Sequence, residues 1–189
     1  MRQCVSRFAL MLGVCGLLLV AGPRAEPASA AGPCNKWGDK LPTEISKGEA
    51  REAVLCLLNR ERSARGIRRL ERDKKLQRAS QRHTDYMQSH SCFSHQCPGE
   101  PSLTKRLQNV GWLTGGLSRW AYAENIGWAG GDLGTPRSIV EAWMQSTGHR
   151  DNILSRTFDE VGVGYSKGTI YSKNAVGSVV TADFGFKRG

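Results

Sequence analysis

Apolar residues recur at helical spacing in four stretches of this chain, and strand-like runs follow near its end. After Ser46, the residues Ala50, Ala53, Val54, Leu57 and Leu58 fall at i, i+3, i+4, i+7 and i+8, one face of an amphipathic helix. Ser46 with Glu49 forms a capping box, and Gly66 is a stop signal, so this helix is expected to run to about Ala64. Asp73 caps a second helix whose shared face carries Leu76, Ala79, His83 and Tyr86/Met87. Ser102 opens a third, with Leu103, Leu107 and Val110 inward and Gly111 as its stop. Thr135-Pro136 starts a fourth, an N-cap followed by proline at the first helical position. Its face is Ile139, Val140, Trp143 and Met144, with Gly148 expected to end it. The period then changes, and Val161–Tyr165, Thr169–Tyr171 and Val179–Phe184 read as strands. Helices first and strands last, without regular alternation, predict an α+β fold rather than a doubly wound sheet.

The ends set the boundaries. Arg2 and Arg7 precede an almost unbroken apolar run from Phe8 to Ala21, and Ala28-Ser29-Ala30 supplies the small residues that a signal peptidase reads. The run is short against the ~20 residues that a membrane helix needs. The expected organisation is a signal peptide over residues 1–30 cleaved near Ala30, an N-terminal arm over 31–45, and one domain over 46–189, giving a secreted protein with no transmembrane anchor. In the arm, Gly32-Pro33 and Leu41-Pro42 are expected to break any regular element.

Charge and cysteine narrow the picture further. The full chain carries a formal net charge of +10, which suits an anionic partner such as a cell-envelope component or acidic polymer, or serves solubility alone. The basic residues from Arg60 to Arg82 are mixed with Glu61, Glu71 and Asp73 and read as a solvated helical face. No nucleic-acid module accompanies them. Beyond the leader lie Cys34, Cys56, Cys92 and Cys97, an even count that implies two disulfides in an exported chain. Local spacing favours Cys92–Cys97, which leaves Cys34–Cys56; a zinc knuckle from Cys92, His95 and Cys97 is the competing reading.

The histidines are not equivalent. His83 belongs to a buried helix face and reads as a hydrogen-bonded core residue, whereas His90 falls at a helix C-terminus on the surface. His95 sits inside the C-x4-C bracket, and His149 directly follows the expected helix stop at Gly148. Glu124, among apolar neighbours, must find a cation or imidazole or suffer a large desolvation cost. Two imidazoles and a carboxylate could hold a divalent cation such as zinc or magnesium with one position open. They could equally act without metal, as a base and its orienting partner. Their spacing matches no local zinc motif.

Taken in order, these segments resemble the CAP superfamily of cysteine-rich secretory, venom-allergen and plant pathogenesis-related proteins, and within it the single-domain secreted bacterial type. The resemblance runs through Leu57-Leu58-Asn59-Arg60-Glu61-Arg62, then Leu76, Ala79, His83 and Met87, then Phe93-Ser94-His95. It continues through Ala123-Glu124-Asn125-Ile126, Trp143-Met144-Gln145-Ser146 and Gly148-His149-Arg150-Asp151-Asn152-Ile153-Leu154, and closes at Phe158–Gly164 and Asp183-Phe184-Gly185. It implies a three-layer α-β-α sandwich, its central sheet flanked by helices, with a cleft lined by two histidines and two acids. Carried over, these are His95, His149 and Glu124, with Ser146 standing where the second acid is expected. That departure weakens a four-ligand metal site and leaves three ligands plus water. A Ser146–His149–Glu124 triad lacks a nucleophile elbow or oxyanion hole, and Asn125 and Asn152 read as structural polar residues. Three functions follow as expectations: a non-enzymatic binding module for a divalent metal, lipid or envelope ligand; a metal-dependent, peptidase-like hydrolase; or a structural protein of the cell surface.

Overall fold

The computed structural model describes residues 32–189, so the expected leader lies outside the described residues. The capped starts are where the sequence puts them. Helix α1 spans Pro33–Trp37, α2 Lys47–Ser63, α3 Lys74–Ser89, α4 Leu103–Asn109, α5 Pro136–Gln145 and α6 Thr147–Leu154. Ser46 and Glu49 form the capping box of α2; Asp73 accepts from the backbone N–H of Lys75 and Leu76; Ser102 and Thr135 cap α4 and α5.

Strands β1 (Glu71–Arg72), β2 (Arg119–Gly130), β3 (Glu160–Lys167) and β4 (Gly177–Arg188) form one sheet in the order β1-β3-β4-β2. The β1–β3 pair is parallel, and β3–β4 and β4–β2 are antiparallel. Alternation along β3 and β4 divides the side chains between two layers. Val161, Val163, Tyr165, Val180, Ala182 and Phe184 face a core shared with Val54, Leu57 and Leu58 of α2, Ile139 and Trp143 of α5, and Ile153 of α6. Gly162, Gly164, Thr181 and Asp183 face α3. That helix lies so close that a Cβ at Gly162 would meet the Gln77 backbone at 2.0 Å, and one at Gly164 the Ser80 carbonyl at 2.4 Å. Helix α4 packs on α3 through Leu107 and Val110, against Leu76 and Ala79. The result is an α+β three-layer sandwich.

Four local expectations need correction. Thr169–Tyr171 is a turn rather than a strand: Gly168 takes a φ of +95°, the hydroxyl of Thr169 accepts from the N–H groups of Tyr171 and Ser172, and Ile170 plugs a core cluster from the loop. Gly148 does not stop α5. That helix ends at Gln145 because Ser146 turns extended (ψ 124°), and Gly148 and His149 lie within α6. The arm contains α1, since Pro33 sits at the helix start, where its missing N–H costs nothing. Finally, the run from Arg60 to Arg82 is not uniformly solvated. Arg62 is fully buried and donates to the carbonyls of Arg68, Ile153, Ser155 and Phe158, tying α2 to the end of α6.

Both cysteine pairs are disulfides, Cys34–Cys56 and Cys92–Cys97, and the latter rules out a zinc knuckle. The first joins α1 to α2. The second closes the loop after α3, which is further braced by a hydrogen bond from the Tyr86 hydroxyl to the Pro98 carbonyl.

Candidate functional site

Strand β2 places Glu124 opposite Asp183 of β4, both turned toward α3. Glu124 is the hub of a buried polar network. Its Oε1 lies 2.9 Å from His95 Nδ1 and accepts from Arg106 Nη2 at 3.2 Å. Its Oε2 lies 3.0 Å from Arg106 Nη1, an ion contact out of hydrogen-bond alignment. Below it, His83 is fully buried, its Nδ1 2.7 Å from Glu100 Oε1 and its Nε2 3.8 Å from Glu124 Oε1. Because Nδ1 faces a carboxylate, it carries the ring proton there, and Nε2 is a buried nitrogen without a hydrogen-bond partner. Arg106 also donates to the His95 carbonyl at 2.8 Å, and Glu100 accepts from the Cys97 N–H. The bracketed loop is thus held by the same residues that hold Glu124.

The electrostatics follow from this packing. Burial works to raise the Glu124 pKa, but the His95 hydrogen bond and the charges of His83 and Arg106 prevail and hold it below the ordinary carboxylate range. Burial, reinforced by the Glu124 charge, pushes Asp183 well above its usual value. Ser80 donates to Asp183 Oδ2 at 2.8 Å, while Asp183 Oδ1 and Glu124 Oε2 lack a donor. Two carboxyls packed together in this way can bond only through a proton between them. Burial lowers the His83 pKa against the pull of Glu124 and Glu100.

His149 lies beside the same edge strand, on α6. That helix is pinned to β2 by Asn125, which donates to the His149 carbonyl at 3.0 Å and accepts from Asn152 at 2.9 Å, so both asparagines are structural. His149 is half-buried, and burial with the nearby His95 lowers its pKa. With Ser146 it forms the polar end of a groove of about 370 Å³, walled by Phe93, Ile126, Trp128, Leu133, Ile139 and Trp143. Trp143 donates from its ring to the Ile126 carbonyl at 2.9 Å, which holds α5 against the strand edge.

The expected residues therefore meet in part. His95 bonds Glu124 and lies near enough to His149 to depress its pKa. Ser146 makes no hydrogen bond to His149 among the described residues, and Glu124 is committed to Arg106, so no triad forms. The same commitment weighs against a metal site. A divalent cation held by His95, His149 and Glu124 would have to displace a buried guanidinium from the carboxylate, and no three such side chains among the described residues are arranged to share a metal ion. The donor set does not fit. Arg106, Glu100, Asp183 and Ser80 were missed from sequence. Arg106 had a signal, since it falls among Leu103, Leu107 and Val110 on the apolar face of α4, where an arginine needs an acid.

These residues build an α+β sandwich with a histidine–glutamate cluster beside an edge strand. A profile of the cysteine-rich secretory protein family, CAP, matches residues 55–184. The chain belongs to that family. It is 34% identical over 139 residues to the uncharacterized protein YkwD of Bacillus subtilis, a match spanning 72% of this chain and 49% of YkwD. The chain thus spans about half the length of this curated relative. An extracellular SCP-domain protein of Bacillus anthracis shares the fold at a TM-score of 0.56 and 23% identity, over 74% of this chain and 43% of that one. An outer surface protein of Borrelia burgdorferi does so at 0.59 and 17%, over 76% and 97%. Relatives are thus described as extracellular or outer-surface, and no helix among the described residues is long and apolar enough to cross a membrane.

Proposed function

We propose that this chain is a secreted, non-enzymatic binding domain whose ligand lays an apolar portion in the groove along β2 and a polar group against His149. The observation that carries this reading is the groove itself, a cleft walled mostly by apolar and aromatic side chains, with Ser146 and His149 at one end and Ser138 the one other polar side chain in its lining. The neighbouring Glu124 network fixes His95, which lies near His149 at the polar end of the groove. Its members hold one another, so it orients an imidazole rather than holding a metal or activating a nucleophile. The fatty acyl chain of a lipid, or an apolar segment of an envelope component, has the required shape. Export, with cleavage near Ala30, places the groove outside the cell.

Trp128 and Trp143 line the groove and make a built-in reporter. Titration with a long-chain fatty acid is expected to change tryptophan emission saturably in the wild type. Ala142→Trp, which fills the groove, should abolish the response while leaving the fold intact by circular dichroism. A wild-type response that Ala142→Trp leaves unchanged rules out the groove as the binding site.

A further inference from the structure

The helix that turns His83 inward presents a different chemistry outward. Lys74, Arg78 and Arg82 are exposed on α3 at i, i+4 and i+8, a row with steps of about 6 Å. None of the three has a hydrogen-bond or ion-pair partner among the described residues. Like charges at this spacing weaken a helix slightly, so the row does nothing for the fold. Across from it stand Arg51 of α2 and Arg72 of β1, and these five cations wall a groove of about 470 Å³. Gln77 and Gln81 complete the lining, which contains no acidic residue and no apolar one. Glu52 pairs with Arg72 and so offsets one of the five charges, while Asp85 is engaged with Lys47, Gln81 and Ser166, which leaves Lys74, Arg78 and Arg82 as the unpaired cations of the lining. Arg51 bonds Gln81 through one nitrogen, while its Nε is buried without an acceptor.

We infer that this groove is a docking site for a linear phosphate-bearing polymer, separate from the apolar groove on β2. Four of the five cations are arginines, whose planar forks match oxyanions in pairs of hydrogen bonds. The forks converge from two walls. A tetrahedral phosphate offers oxygens in both directions, whereas a carboxylate presents two in one plane. The exposed large apolar residues Phe93, Trp120, Leu133, Tyr171 and Val176 all lie outside the lining, so nothing there inserts into a bilayer. No aromatic ring lines it either, so no base can stack. The sites are independent, and the failure of one leaves the other untouched.

The test is binding of fluorescent inorganic polyphosphate by the mature chain, followed by anisotropy at low and moderate salt. Saturable binding that weakens with salt is expected. The double variant Arg78→Glu/Arg82→Glu should lose about tenfold or more in affinity, while Lys105→Glu/Arg119→Glu, the same charge change elsewhere, should lose less than about twofold. Equal losses in the two variants would overturn the site in favour of diffuse charge. Polyglutamate binding as tightly as polyphosphate would overturn the phosphate assignment. So would a single-stranded oligonucleotide binding more tightly than polyphosphate of equal charge, or capture by anionic phospholipid vesicles without polyphosphate binding. Retained far-ultraviolet circular dichroism in both variants confirms that affinity, not folding, is read.

Discussion

The two histidines that the family resemblance pairs live in opposite environments. The His95 side chain is more than half exposed, yet its Nδ1 meets Glu124 and its carbonyl is held by Arg106. His149 is half-buried, yet no side chain among the described residues bonds its ring; only its carbonyl is anchored, by Asn125. One imidazole is oriented by a buried ionic network, the other by the backbone of a short helix. A network of buried charges is stiff but fails badly when one member is lost, whereas a backbone-held ring can be replaced with little effect on the fold. The first kind of site reads as scaffold and the second as contact surface.

The sharpest way to break this contrast is Arg106→Met. It strands Glu124 as an uncompensated charge within the sheet and should cost about 3–5 kcal/mol in urea unfolding at neutral pH. The same variant bears on metal binding. Wild type should show no cobalt absorption bands attributable to histidine ligation, and folded Arg106→Met should acquire them through His95 and Glu124. Wild-type cobalt binding that is lost in His95→Ala would show that the guanidinium yields to a metal.

Asp183→Asn comes next. The raised pKa of Asp183 means that its contribution is complete below its unfolded value, about 3.9, and is lost as pH rises through the folded value. Glu124, whose pKa is lowered, contributes stability above about pH 4.3 that is lost as pH falls through its folded value. Asparagine imitates the neutral acid and can still donate to Glu124. Its unfolding free energy should therefore gain on wild type between pH 4 and pH 8, by at most about 1.4 kcal/mol per pH unit. A difference that is constant with pH would show that Asp183 does not hold its proton.

Much of this was legible in the chain, for reasons that can be named. Caps and 3.6-residue stripes placed α2 through α5 within a residue or two, because Ser46, Asp73, Ser102 and Thr135 each bond the backbone N–H groups that a helix start leaves unsatisfied. The disulfides followed from spacing. Strand β2 was invisible because its buried positions include Glu124 and Asn125, polar residues that tolerate burial only through partners far along the chain. Arg62 and Arg106 were misjudged or missed for the same reason: each continues an apolar stripe, and what it bonds lies elsewhere in sequence. His83 was correctly read as buried, but its position beneath Glu124 is a tertiary fact. Periodicity reports which face is covered, not by what.

The smallest expected effect is the most telling about function. His149→Ala removes a ring that bonds nothing among the described residues, so stability at pH 8 should change by no more than about 0.5 kcal/mol. Because burial and the neighbouring His95 depress its pKa, His149 contributes stability above about pH 6.5 that fades as pH falls. The variant should therefore lose less than wild type between pH 7 and pH 5. Its fatty-acid titration should weaken more than its unfolding midpoint moves. A ligand response unaltered in a stable His149→Ala protein would return this histidine to the scaffold and leave the apolar walls alone to bind.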